Sequence, residues 1–301
     1  MLSEVEAQAQ DERLQPGEVE IRVVGSALGR APGAEVVGIV SAAGEAAGDW
    51  MGRRVLVPRV LPCGECERCR RGLVAHCPAL PPRTQVVESE RLPARFLCAL
   101  EPPLWQEGAE LWPLAALADA AAAPFAALMR LGVEPNQLVA IFGDDVRALF
   151  AAATARAKGA VPLLITDSTT AIALTRELEI ATQSGGESLA SFCEQKGLRP
   201  IAHRFVVTGG QQNFDRALSA LTDGAAIALL DRLPVHAADL SALVTHEATL
   251  LGQEICHPDL YPELVALWVR GELPLLPLVE RVKDPRMSSS SYPRLPVVAF
   301  D

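Results

Sequence analysis

In Glu18-Val19-Glu20-Ile21-Arg22-Val23-Val24, polar and apolar residues alternate as far as Val23, the period of a strand with one face buried. Glu35 to Val40 and Arg54 to Val57 continue in β-branched residues punctuated by Gly and Pro, so the first third of the chain reads as β. The pattern changes near Leu111. Pro113 to Leu131 is rich in Ala and Leu and predicts a helix. Short apolar runs then alternate with helical segments. Strands are expected at Leu138–Phe142, Val161–Thr166, Arg204–Thr208 and Ala225–Leu230. Helices are expected at Val146–Lys158, Thr170–Glu179, Glu187–Lys196, Phe214–Leu221 and Asp259–Arg270. Strands that alternate with helices imply an α/β fold with a parallel sheet wound on both faces. Leu295 to Phe300 is strand-like again and is expected to return to the first domain, after a polar, flexible linker at Met287–Ser291. The domains drawn on this basis are 1–112, completed by 272–301, and 113–271.

Composition narrows the function classes. The chain has 301 residues, half of them apolar, enough for two domains with cores of their own. No apolar run of roughly 18 residues or more is free of charge, so no membrane span is expected. The start, Met1 to Glu6, is acidic and polar where a secretory signal opens basic and then apolar, so a cytoplasmic location is expected. A net charge of −10 repels phosphate backbones and argues against nucleic acid as a partner.

Four of the seven cysteines fall between Cys63 and Cys77. Cys63-x2-Cys66-x2-Cys69-x7-Cys77 puts four thiolates on one short loop, and a C-x2-C turn presents two of them to one ion. Four soft ligands suit tetrahedral zinc and leave no open position, so the expected zinc is structural and not catalytic. Three cysteines at this spacing also begin a ferredoxin run, but the fourth spacing does not fit a cluster. A zinc ion with four thiolates carries a formal charge of about −2, which Arg68, Arg70 and Arg71 are expected to offset. Cys98, Cys193 and Cys256 read as core or near-surface thiols.

The stretch Leu61-Pro62-Cys63-Gly64-Glu65-Cys66-Glu67-Arg68-Cys69-Arg70-Arg71-Gly72 through Cys77-Pro78 resembles the structural zinc lobe of zinc-containing alcohol dehydrogenases, in the medium-chain dehydrogenase/reductase superfamily. Pro16-Gly17-Glu18-Val19 and Gly38-Ile39-Val40 resemble the opening strands of that family's GroES-like β-rich domain. Leu243 to Gly252 and Gly271-Glu272-Leu273-Pro274-Leu275 resemble the end of its nucleotide-binding domain. A smaller likeness, in Leu117-Ala118-Asp119-Ala120 and Pro124-Phe125, is to the 6-hydroxycyclohex-1-ene-1-carbonyl-CoA dehydrogenase branch. The resemblance implies a GroES-like domain followed by a Rossmann-type domain, a nicotinamide cofactor, and assembly through the sheet and the zinc lobe.

The departures concern the chemistry. The family's catalytic zinc takes a Cys after the first strand, a His in Gly-His-Glu, and a ligand at the start of the interdomain helix. Residues 1–62 contain no Cys and no His, and Gly33-Ala34-Glu35 stands at the Gly-His-Glu position. Asp119 matches the third position, but one carboxylate does not hold zinc. Asp119 therefore reads as a polar residue near a helix start, and Glu35 as a remnant. The segment from Gly25 to Glu35 is shorter than in the family, and Pro285 to Tyr292 stands where a helix is usual.

The dinucleotide loop is altered too. A strand-to-helix turn that holds pyrophosphate reads Gly-x-Gly-x-x-Gly/Ala. Here it reads Gly143-Asp144-Asp145-Val146-Arg147-Ala148, with the first glycine kept and Asp145 in the middle position. A carboxylate about 4 Å from a phosphate costs roughly 1 kcal/mol in water and roughly 4 kcal/mol at an effective dielectric of about 20. Asp144 or Asp145 is also expected to cap the helix, taking N–H groups a phosphate would need. Arg147 reads as solvated helix surface, with contact to a phosphate as the alternative. Asp167, at the end of the next strand, is the surviving cofactor feature, placed to bond an adenosine ribose and favour NAD over NADP; it serves equally as a strand-end polar residue.

Two readings follow. One is a divergent, non-catalytic relative with a structural zinc, paired with itself as a homodimer or with a paralogue. The other is a zinc-independent NAD(P)H-dependent oxidoreductase, of the quinone or enone reductase or hydroxyacyl-CoA dehydrogenase type, with Gly143 and Asp167 binding the cofactor.

Overall fold

In a computed structural model, the structure describes residues 13–29, 35–79, 86–100, 110–184, 188–198, 203–232, 239–283 and 294–300. The expected linker at Met287–Ser291, the segment Pro285 to Tyr292 and Ala34 lie outside the described residues. The chain divides into a unit of residues 1–118, 281–288 and 296–301 and a unit of residues 119–280 and 289–295.

The first unit is built around β1 (Glu18–Ala27). Val19, Ile21 and Val23 are fully buried, as the alternation requires. Antiparallel β2 (Glu35–Ala43) pairs with β1 through register shifts at Glu20/Ile21 and Val23/Gly25. Such bulges bend a strand, and Gly25, Ser26 and Ala27 beyond the second one are all buried. Gly25 sits there because a Cβ would lie 2.7 Å from the Trp112 backbone. β3 (Arg54–Val57) pairs with β2, and the cysteine loop with its single-turn α1 (Glu67–Arg70) follows. β4 (Ser89–Pro93) pairs with the first half of β1, and β5 (Cys98–Ala99) with β3. Val19, Ile21, Val36, Val40, Val55 and Leu92 lie in one core cluster.

The helix expected over Pro113–Leu131 is interrupted. Trp112–Ala118 is a 3-10 stretch, and α2 spans Ala122–Arg130. Pro124 lacks an N–H and its ring clashes with the carbonyl four residues back, so a helix cannot run unbroken through residue 120. Residues Trp112–Arg130 are apolar enough to span a membrane by composition, but 89% of that stretch is buried in the protein.

The second unit holds six parallel strands: β6 (Leu138–Phe142), β7 (Val161–Ile165), β8 (Ala181–Gln183), β9 (Arg204–Val207), β10 (Ala226–Leu229) and β11 (Thr249–Gly252). Between them run α3 (Val146–Ala157), α4 (Thr169–Glu177), α5 (Leu189–Lys196), α6 (Gln211–Ser219) and α7 (Ser241–Thr245). The order is β11-β10-β9-β6-β7-β8. The chain therefore leaves β6 toward one edge and returns to its other side at β9, which puts a topological switch point between β6 and β9. Crevices that bind ligands form beyond the carboxyl ends of the strands at such a point. All five residues of β6 are buried, and α3 is buried from Arg147 through Ala155, so its small alanines pack against β6, β7 and α2. The α/β class expected from the sequence is the class observed.

After α8 (Tyr261–Val269), β12 (Val279–Val282) and β13 (Leu295–Ala299) complete the first sheet, in the order β12-β13-β1-β2-β3-β5. β13 pairs antiparallel with the buried end of β1, Val298 opposite Ser26.

Candidate functional site

Two places carry chemistry. The first is the cysteine loop. Cys66 caps α1, its sulfur accepting the Cys69 N–H at 3.4 Å. The Cys66 N–H donates to the Cys63 sulfur and the Cys63 N–H to the Cys77 sulfur, each at 3.4 Å. Gly64 and Gly72 take left-handed turns at φ of 78° and 76°, which fold the loop back on itself. All four sulfurs lie within 4.8 Å of one another, with Cys63 and Cys69 at 3.9 Å. Zinc at about 2.3 Å from each sulfur of a tetrahedron places the sulfurs about 3.8 Å apart, so the cluster fits one zinc ion.

The protons tell the same story. Backbone N–H groups of Cys66 and Glu65 pull the Cys63 thiol down to about 6, so one thiolate forms readily. Burial and the neighbouring sulfurs push Cys69 up to about 12, so four thiolates need a cation among them. The arginines expected to offset the charge are engaged elsewhere. Arg68 donates to the His76 carbonyl and Arg70 to the Glu65 carbonyl, both at 2.7 Å, while Arg71 pairs with Glu67 at 2.8 Å on the surface. Their observed work is to tie the loop together. Among the described residues, the four cysteines form the one group of His, Cys, Asp or Glu side chains placed to share a metal ion.

The second place is the crevice at the switch point. Gly143 follows β6, and a Cβ there would meet the Thr208 hydroxyl at 2.0 Å, so close packing against β9's end requires the glycine. The cap falls to Asp145. Its Oδ1 accepts the Ala148 N–H at 2.9 Å, taking one of the free donors at the head of α3.

Arg147 is not solvated surface: its side chain is only 11% exposed. Its guanidinium donates to Asp145 Oδ2 at 3.1 Å, to Asp231 Oδ1 at 2.5 Å and to the Leu230 carbonyl at 3.0 Å. Asp231 in turn accepts the Gly209 N–H at 2.7 Å, just past β9. Burial opposes the charge on Arg147, but the two carboxylates outweigh it and hold the guanidinium above its usual range. The ends of β6, β9 and β10 are thus tied by one charged network.

The sequence signal for this was half present. Asp145-x-Arg147 is visible, but Asp231 lies 84 residues away and only the fold brings it in.

Asp167 follows β7, its Oδ2 accepting from Arg216 on α6 at 2.9 Å. Gly143, Asp144, Asp167, Ser168, Asn213 and Arg216 line a cavity of about 440 Å³. The structure therefore brings Gly143 and Asp167 to one cavity. Ser168 caps α4 through the Ala171 N–H at 3.3 Å.

Glu35 and Asp119 are both buried. Cys256 is buried in the same unit as Asp119, and burial first and then the Asp119 charge push its thiol well above the usual range, so it is no ready nucleophile.

With this geometry in place, likeness to known proteins is informative. Residues 9–100 match the alcohol dehydrogenase GroES-like domain family. The chain is 29% identical over 177 residues to sorbitol dehydrogenase of Bacillus subtilis strain 168, a match that takes in 56% of this chain and 47% of that protein. The aligned part is thus about half the length of that relative. Its fold is similar to that of galactitol-1-phosphate dehydrogenase from Escherichia coli, with a TM-score of 0.80 at 19% identity over 96% of this chain and 94% of that one. It is also similar to the cobalt- and zinc-bound thermostable alcohol dehydrogenase from Pyrobaculum aerophilum, with a TM-score of 0.76 at 18% identity over 96% and 93%. At such identities the likeness is one of fold.

Proposed function

We propose that this chain is an alcohol-dehydrogenase-like member of the medium-chain dehydrogenase/reductase superfamily, and within it a non-catalytic relative that keeps a structural zinc lobe and the parallel sheet as a scaffold. The observation that carries this reading is the network of Asp145, Arg147 and Asp231. Pyrophosphate binds at a helix head through free N–H groups and the helix dipole. Here the Ala148 N–H is given to Asp145 and the Gly209 N–H to Asp231, so two donors at the crevice are spent on carboxylates. Arg147, a buried cation in the first turn of α3, is held by the same two acids. The residues as arranged do not fit a pyrophosphate, and no hydride-transfer step is derived through one.

The absence of Cys and His from residues 1–62 supports the loss of the catalytic zinc. A zinc held by Cys63, Cys66, Cys69 and Cys77 would have no open position and would serve structure and not chemistry. As a scaffold the protein pairs with itself or with an active paralogue. The edge strand β11, mostly exposed, and Val244 beside it support pairing through this sheet.

A specific observation favours a second reading, a zinc-independent NAD(P)H reductase: the cavity beside Asp167 survives. The test is hydride transfer. Zinc-replete protein is incubated with NADH or NADPH and a panel of quinones and enones, and with NAD or NADP and alcohols, following nicotinamide absorbance. The expected outcome is no consumption above the protein-free rate. Turnover of any of these would replace the scaffold reading with the reductase or dehydrogenase one.

A further inference from the structure

The four cysteines of the zinc loop are not brought together in the same way. Cys63, Cys66 and Cys69 are set by local turns. The Cys66 N–H donates to the Cys63 sulfur and the Cys69 N–H to the Cys66 sulfur, and Cys69 lies within α1. Cys77 comes by a longer route. The chain leaves α1, turns at Gly72 and returns through a 3-10 turn at Val74–His76 before it reaches Cys77. Of the residues between Cys69 and Cys77 only Val74 is buried, so apolar packing does little to hold this return.

One side chain spans it. Arg68 on α1 donates from Nη1 to the His76 carbonyl at 2.7 Å. That carbonyl belongs to the peptide whose nitrogen is that of Cys77, so the bond fixes the plane next to the fourth sulfur. It is charge-assisted and short, and therefore stronger than the 3.4 Å bond from the Cys63 N–H to the Cys77 sulfur. The Leu73 N–H also bonds the Arg68 carbonyl at 2.8 Å, but that holds only the near end of the return.

We propose that Arg68 is the positioning residue of the zinc loop, holding Cys77 at the metal position and so setting the affinity for zinc. The inference rests on the structural zinc of the proposed function and assigns a residue to it. A ligand arm already held in place loses less freedom when the ion binds.

The neighbouring arginines work differently. Arg70 holds the Glu65 carbonyl at 2.7 Å, and Arg71 pairs with Glu67, their side chains 70% and 77% exposed. Those bonds stay within residues 65–71 and do not reach the segment of Cys77. Arg71 carries the same charge two residues from Cys69, so it separates a mechanical tie from a charge that offsets the thiolates.

The experiment is a titration of the zinc-loaded full chain with a chromophoric chelator of known zinc affinity, at low and at high salt. Arg68→Met is expected to hold zinc about tenfold more weakly than wild type, the loss of one charge-assisted bond at a solvated site. Arg71→Met is expected to match wild type. Arg68→Lys keeps a cationic donor and is expected to recover most of the loss. The gap between Arg68→Met and wild type is expected to persist at high salt, where the effect of an unbonded charge would be screened. With cobalt in place of zinc, Arg68→Met is expected to keep the absorption of a tetrahedral four-thiolate site, because the ligands are unchanged.

Equal zinc affinity in Arg68→Met and wild type would overturn the inference and leave the structural zinc intact. Equal weakening by Arg68→Met and Arg71→Met that vanishes at high salt would overturn it in favour of charge offset. A wild-type chain that holds no zinc would overturn both this inference and the zinc lobe of the proposed function.

Discussion

Cys69→Ser is expected to strip the cysteine loop of its zinc and to open residues 63–77 to protease, while the parallel sheet stays folded. Of the residues from Cys63 to Cys77, only Cys69, Val74 and Cys77 are buried. Two of those three are the expected ligands, so apolar burial contributes little and the metal supplies the loop's core. Structural zinc contributes on the order of 10 kcal/mol where a fold depends on it, far more than one buried valine at roughly 2 kcal/mol. Oxygen in place of one sulfur gives the ion a weaker fourth ligand and removes the soft donor it favours. The expected zinc content falls from one ion per chain to well under one, measured by atomic emission after dialysis. Limited proteolysis should then cut within the loop first, with far-ultraviolet dichroism nearly unchanged. Full zinc retention by the variant would contradict the assignment of Cys69 as a ligand.

Arg147→Met is expected to destabilise the second unit by about 3 kcal/mol. Methionine roughly conserves the bulk of the side chain and removes the guanidinium. Asp145 and Asp231 then lose the guanidinium between them, and the Leu230 carbonyl loses this donor. Removing one partner of a fully buried ion set costs roughly 3–5 kcal/mol, and the exposure of Asp145 at 34% and Asp231 at 18% brings the figure to the low end. The set Asp145→Asn, Arg147→Met and Asp231→Asn should recover part of the loss, since no bare charge remains. Chemical denaturation followed by tryptophan fluorescence and dichroism measures this, with each unit's transition fitted separately. An Arg147→Met variant within roughly 0.5 kcal/mol of wild type would show that the network adds nothing to stability.

These two sites differ in how far they can be read in the sequence. The cysteine loop is local: its four ligands, its turns and its capping sulfur all come from one stretch, so spacing alone points to it. The strand β6 is legible for a related reason, since a strand buried on both faces is a short continuous apolar run. Partners distant in sequence are not legible. Arg147 reads as surface because its partners Asp231 and the Leu230 carbonyl reach it only through the β6-β9-β10 order of the sheet. Arg216 is silent in the sequence for the same reason, although it sits beside Asp167 in the fold.

Short edge strands were also invisible to periodicity. β8 is half-buried along its length and β11 mostly exposed, so neither shows an alternating face. The break in the helix expected over Pro113–Leu131 was available in Pro124, but the density of Ala and Leu around it outweighs one proline in a propensity reading.

The central claim is that the nucleotide loop is closed by its own side chains, and equilibrium binding tests it most directly. Zinc-replete protein is titrated calorimetrically with NADH and then with NADPH. The account predicts no detectable binding of either at millimolar cofactor. Micromolar binding of either would contradict it, because Asp145 and Arg147 would then have to yield the head of α3 to a pyrophosphate.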